Sequence, residues 1–183
     1  AKKAERTGAD GLLAVTPYYN KCTQSGLVAY YESICAASSL PVIAYNVPSR
    51  TGVEIQPATM AKIAEIPNMA GIKDAGGNMS KTMETLRLIR GKCDLYSGED
   101  ALNLPLLAVG GNGVISVLSN LVPADVKKMY TLLKTGKTEE AFALADKLFP
   151  LAQACFVEVN PIPAKAAMNL LGFSAGIPRA PLS

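Results

Sequence analysis

Short apolar runs alternate with longer stretches of mixed polarity over the first two thirds of the chain. Gly11-Leu12-Leu13-Ala14-Val15, Pro41 to Tyr45, Ala70 to Lys73, Asp94 to Ser97 and Gly113 to Val117 are each short and mostly apolar, which predicts five strands of a buried parallel sheet. Between them the apolar residues return at helical spacing. Ser25 to Ser38 carries Leu27, Tyr30, Tyr31 and Ile34, and Ser80 to Arg90 carries Met83, Leu86 and Ile89. Further helices are predicted over Pro57 to Ile66, with proline in the first turn, and over Ala101 to Val109. Ala1 to Arg6 predicts a helix that Gly8 stops, with no capping residue before it. From Val122 the strands cease, and three helices follow: Val122 to Lys134, Thr138 to Ala154 and Pro161 to Leu171, separated by Gly136 and Asn160-Pro161.

Strand and helix in strict alternation mean either a doubly wound open sheet or a (β/α)8 barrel. An open sheet built for nucleotides is expected to carry a G-x-G-x-x-G turn or a P-loop after a strand, and neither occurs. Polar and reactive residues recur instead at successive strand ends: Tyr19, Tyr45, Lys73, Gly98-Glu99 and Ser116. Strand ends converging on one centre are how a barrel builds its site, so the barrel is the reading. Residues 1–121 are expected to form five βα units and 122–183 a helical region.

Composition narrows the partners. With 49% hydrophobic and 18% charged residues in 183, the chain can bury a sizeable core. A net charge of +3 from scattered Lys and Arg offers no basic stripe for nucleic acid. The four cysteines, Cys22, Cys35, Cys93 and Cys155, form no C-x-x-C pair, which speaks against a zinc site or disulfide scaffold and fits a reducing cytoplasm. The chain contains no histidine, which removes Ser-His and Cys-His nucleophiles and His-ligated metals. No apolar run is long enough to span a bilayer and no signal pattern opens the chain, so a cytoplasmic location without membrane contact is expected.

The candidate chemistry lies in Met69-Ala70-Gly71-Ile72-Lys73-Asp74-Ala75-Gly76-Gly77-Asn78, where an apolar strand ends on a lysine and breaks into glycines. An amine held there is partly desolvated, and desolvation favours the neutral form that attacks carbonyls. Lys73 is thus a candidate Schiff-base lysine. The plain alternative is a stem lying on apolar surface with its ammonium in water.

Five segments then carry a resemblance: Thr16-Pro17-Tyr18-Tyr19-Asn20, Tyr45-Asn46-Val47-Pro48-Ser49-Arg50-Thr51-Gly52, Gly71 to Asn78, Ser97-Gly98-Glu99-Asp100, and Gly111-Asn112-Gly113-Val114-Ile115-Ser116-Val117. In this order they resemble the dihydrodipicolinate synthase family, within the pyruvate-dependent class I aldolases that include N-acetylneuraminate lyase. The resemblance implies strands 4 to 8 of a TIM barrel with a three-helix C-terminal extension, and condensation of pyruvate with aspartate semialdehyde in lysine biosynthesis. It implies no cofactor beyond the covalent imine of pyruvate on Lys73. Tyr45 would relay protons, Arg50 would bind the carboxylate of aspartate semialdehyde, and Gly98 and Ile115 would line the pyruvate pocket. Tyr19 would complete a neighbouring subunit's relay, and Tyr18 would line a lysine feedback cleft at that interface, in a homodimer or homotetramer.

The departures from the family pattern are also informative. The family's relay includes a threonine from a Thr-Thr pair near the second strand, and no counterpart is present because the first three βα units are absent from this sequence. Cys22 stands where the loop often has proline. The uncapped helix at Ala1 and the lack of an initiating methionine lead to the expectation of a C-terminal barrel part that is not an active monomer alone. Five parallel strands in chain order, with Tyr45 and Lys73 side by side, are therefore expected. Two functional classes remain: the aldolase, with N-acetylneuraminate lyase or another pyruvate aldolase as its variant, and a non-catalytic half-barrel that serves as an assembly module.

Overall fold

The computed structural model describes residues 1–183. Its elements are α1 (Lys2–Arg6), β1 (Leu12–Val15), α2 (Gln24–Ala36), β2 (Val42–Asn46), α3 (Pro48–Thr51), α4 (Pro57–Ile63), β3 (Met69–Asp74), α5 (Met79–Ile89) and β4 (Asp94–Ser97). There follow α6 (Asn103–Ala108), β5 (Gly113–Val114), α7 (Pro123–Lys134), α8 (Thr138–Ala154) and α9 (Ile162–Leu170). The five strands form one parallel sheet in the order β1-β2-β3-β4-β5. Sequential neighbours joined by crossover helices are the βα pattern that the alternating runs predicted.

Each strand separates its side chains between two faces. Val42 and Ala44 of β2, Ile72 of β3 and Leu95 of β4 are buried in one core with Leu27 and Tyr31 of α2, Ile63 of α4 and Leu86 and Ile89 of α5. Burying each such aliphatic side chain contributes about 1.5–3 kcal/mol. On the opposite face Leu13 is 50% exposed, so that face is only partly covered. A second core joins Leu104 and Leu107 of α6 to Met129 and Leu132 of α7 and Ala141 of α8, which fixes the C-terminal helices against the last βα unit.

Local chemistry starts and stops the helices. The Thr23 hydroxyl accepts the Gly26 N–H at 3.1 Å before α2, and the Asn78 side chain accepts the Lys81 N–H at 3.1 Å before α5. Each such cap is worth about 1 kcal/mol. Proline at the first turn opens α4 and α7, where its missing N–H costs nothing. No helix is long and apolar enough to cross a membrane.

Four local expectations are corrected. Between the strand predicted to end at Tyr45 and the helix predicted from Pro57 no element is expected, yet α3 forms there, started by Pro48 and ended by Gly52 at φ 74°. Helix α4 stops at Ile63 rather than Ile66, since Pro67 disfavours helical backbone at the residue before it. The helix expected over Ala101–Val109 is a 3₁₀ turn, Asp100–Leu102, followed by α6. The fifth strand covers Gly113–Val114, not Gly113–Val117. The Asp100 carboxylate takes the Val117 and Leu118 N–H groups at 2.9 and 2.8 Å and turns the chain out of the sheet.

Candidate active site

Two adjacent strand ends create the site. In the parallel register Tyr45 of β2 faces Lys73 of β3, and Lys73 faces Tyr96 of β4, so all three side chains leave the same face of the sheet. The Lys73 Nζ stands 4.0 Å from the centre of the Tyr45 ring. That is cation–π distance when the amine is charged, and it holds the stem in one direction when it is not. Burial pushes the Lys73 amine below the ordinary lysine range, while the charge of Asp100 pulls it back up. Burial raises the Tyr45 phenol, with Glu99 adding to the rise and Arg50 opposing it. The pair at neutral pH is therefore a proton-bearing phenol beside an amine that gives up its proton more readily than an ordinary lysine.

Gly98 makes room for the amine. A Cβ on Gly98 would lie 2.8 Å from Lys73 Cε and 2.9 Å from its Cγ, closer than carbon atoms pack. Gly98→Ala is expected to leave the fold intact by circular dichroism while slowing borohydride trapping of a carbonyl compound on Lys73 at least about tenfold, since displacing the amine by a fraction of an ångström spoils attack geometry. An unchanged trapping rate would show that the lysine does not need this space. Ile115 follows β5, its N–H donating to the Ser97 carbonyl at 2.8 Å, so its backbone is held beside Gly98.

Beneath the lysine the sheet is filled by Tyr96, which sequence reasoning missed. Its ring lies against Gly71 and Gly113, where a Cβ would approach it to 2.8 and 3.2 Å, and its hydroxyl donates to Asp94 at 2.8 Å. Burial and Asp94 raise that phenol to about 12. The signal lay in Gly71, two residues before Lys73 and on its face, where only a missing side chain admits the ring.

Arg50 projects from α3 and is exposed, its Nη2 donating to the Asn160 carbonyl at 3.3 Å. The segment before α9 thereby reaches the β2 loop, placing one cation near the pair. Tyr18 and Tyr19 lie apart from it, 69% and 89% exposed on the loop after β1. Tyr19 has φ 70° and its N–H reaches the Thr51 carbonyl at 3.3 Å, so the loop is tied to α3 while the phenol points to solvent. Sequence reasoning also missed Asp100, which caps the turn after β5 and supplies the charge felt by Lys73, and the buried Asn46, Asp74 and Thr82 on the reverse face. No three of His, Cys, Asp and Glu stand close enough to hold a metal ion.

A model of the dihydrodipicolinate synthetase family matches residues 1–183. The chain is 49% identical over 183 residues to the 4-hydroxy-tetrahydrodipicolinate synthase of Caldicellulosiruptor bescii, covering 100% of itself and 62% of that protein. It superposes on the chloride-inhibited dihydrodipicolinate synthase of Acinetobacter baumannii, complexed with pyruvate, with a TM-score of 0.95 and 41% identity, covering 100% of itself and 62% of that chain. The Thermotoga maritima dihydrodipicolinate synthase gives a TM-score of 0.95 and 43% identity, with 100% and 63% covered. The chain thus spans about three fifths of the length of these relatives.

Proposed function

Since the chain belongs to the dihydrodipicolinate synthetase family, we propose that it carries the Schiff-base centre of a class I aldolase that condenses pyruvate with aspartate semialdehyde to 4-hydroxy-tetrahydrodipicolinate, in lysine biosynthesis. The observation that carries this reading is the half-buried Lys73 amine against the Tyr45 ring at the ends of adjacent parallel strands. Neutral Lys73 adds to the keto carbon of pyruvate, and loss of water leaves an iminium that draws electrons from the methyl group. Tyr45 passes the protons that leave and return. The resulting enamine adds to the aldehyde of the second substrate, and cyclisation by its amine releases Lys73. No other cofactor enters this scheme.

Gly98 and the Ile115 backbone line the space for the pyruvate carboxylate, and Arg50, a planar fork of donors, takes the carboxylate of aspartate semialdehyde. Exposed Tyr19 completes the relay of a second copy and Tyr18 lines a lysine-binding cleft there, in a cytoplasmic homodimer or homotetramer. The five strands stand for strands 4 to 8 of the barrel, with residues 122–183 as the helical region behind them.

Arg50→Ala tests the substrate assignment. Imine formation with pyruvate is expected to stay within about twofold, while condensation with aspartate semialdehyde falls by about 10²-fold, as for a charge-assisted pair worth roughly 1.5–3 kcal/mol. Equal loss in both steps would overturn the role of Arg50. Preference for a sugar aldehyde over aspartate semialdehyde would move the chain to the sugar-acid lyases.

A further inference from the structure

We infer that Asp74 is a positioning residue for the lysine–tyrosine pair, acting through a buried hydrogen-bond network on the face of the sheet opposite to it; this inference rests on the Schiff-base reading above. Asp74 and Asn46 are the last residues of β3 and β2, adjacent in chain to Lys73 and Tyr45 and in register with each other. Because side chains alternate, they point away from the amine, and they are 7% and 2% exposed. One Asp74 oxygen accepts the Asn46 Nδ2 at 2.8 Å and the Gly76 N–H at 3.0 Å, and the other accepts the Thr82 hydroxyl at 2.9 Å. The Asn46 Oδ1 in turn accepts the Ile55 N–H at 3.0 Å.

Five segments meet at these two side chains: the ends of β2 and β3, the loop before α4, the glycine loop after β3, and the first turn of α5. Gly76 is part of the fit, since a Cβ there would stand 3.1 Å from both Asn46 Nδ2 and Asp74 Oδ1. The backbone repeats the tie, the Ala75 N–H donating to the Asn46 carbonyl at 2.9 Å. A buried carboxylate with no cation among these partners is an expensive way to join two strand ends, and an apolar pair of equal volume would have held them as firmly. What the carboxylate adds is direction. Each oxygen has an assigned donor, so strand separation and register are set at the one level where Tyr45 and Lys73 must stand 4.0 Å apart, Nζ to ring centre.

Two measurements on the 183-residue chain test this. In the first, lysines are reductively methylated with ¹³C-formaldehyde, and the Lys73 signal is assigned by its loss in Lys73→Arg. Its ring-current shift, abolished in Tyr45→Leu, reports the pair without any substrate. In the second, pyruvate is trapped with borohydride, and amplitude is separated from rate constant. Asp74→Asn, which keeps one accepting oxygen for three donors, and Thr82→Val, which has no donor, are expected to lose most of the ring-current shift and to slow trapping about tenfold or more per folded molecule. Thr82→Ser is expected to restore both. A reduced trapping amplitude at unchanged rate, with the shift retained, would mean that Asp74 only stabilises the fold and would overturn the inference. A retained shift in the parent with no adduct on Lys73 would instead sink the Schiff-base reading, and the effect of Asp74→Asn on that shift would still decide the positioning role.

Discussion

Lys73→Ala is expected to abolish the borohydride-trapped pyruvate adduct that the proposed Schiff-base centre would form, taking a one-to-one mass increase to none. The imine needs a neutral primary amine within reach of a carbonyl carbon, and no neighbouring group can replace it. Three other lysines are engaged elsewhere: Lys81 and Lys92 bridge Glu54 and Glu65 at 2.6 and 2.7 Å, and Lys165 donates to the Ala175 carbonyl at 2.7 Å. Peptide mapping of the reduced protein checks the site, and an adduct on Lys165 with Lys73 unmodified would remove the assignment. The pH dependence has a definite sign. A protonated amine has no lone pair, so the trapping rate must rise with pH toward the Lys73 pKa. Burial lowers that pKa, which places the midpoint below that of an ordinary lysine and raises the reactive fraction at neutral pH. Asp100→Asn removes the opposing charge and is expected to move the midpoint lower still; a midpoint moving upward would mean that the charge acts elsewhere.

The second large effect is expected from Tyr45→Phe. Phenylalanine keeps the ring face on which the Lys73 amine rests at 4.0 Å, so the stem stays in place and only the hydroxyl is removed. The phenol's pKa is raised by burial, so it is a donor at neutral pH and an acceptor within the same hydrogen-bond geometry. Loss of a positioned acid–base group costs about 10²–10⁴-fold. The measurement is exchange of the pyruvate methyl protons with deuterium oxide, followed by proton NMR, because it reports enamine formation without the second substrate. Unchanged exchange in Tyr45→Phe would assign the proton transfers to another group.

The elements differ in how plainly their residues disclose them. Strands β1 to β4 and helices α2, α5, α7 and α8 lie close to their predicted bounds, because a short apolar run and a period of 3.6 in the apolar positions are themselves what buries them. The short α3 was concealed because four residues show no period, and the truncated β5 because Asp100, 17 residues before Val117, decides where the chain leaves the sheet. Tyr45, Lys73 and Gly98 were visible as residues at strand ends, and Arg50 as a residue of the motif that follows Tyr45. Tyr96 was not, since its place depends on two glycines from two other strands.

The sequence by itself determined which segments are strands and which helices, which helix positions are apolar, and which residue types stand at strand ends, since these follow from spacing along one chain. Only the tertiary structure decided the parallel register that sets Tyr45 against Lys73, the contact of Arg50 with Asn160 across 110 positions, and the Asp74 network that joins β2 to β3 from behind. These depend on which groups packing brings within hydrogen-bond reach, and loop closure costs so little more for a long loop than a short one that sequence separation says almost nothing about partnership.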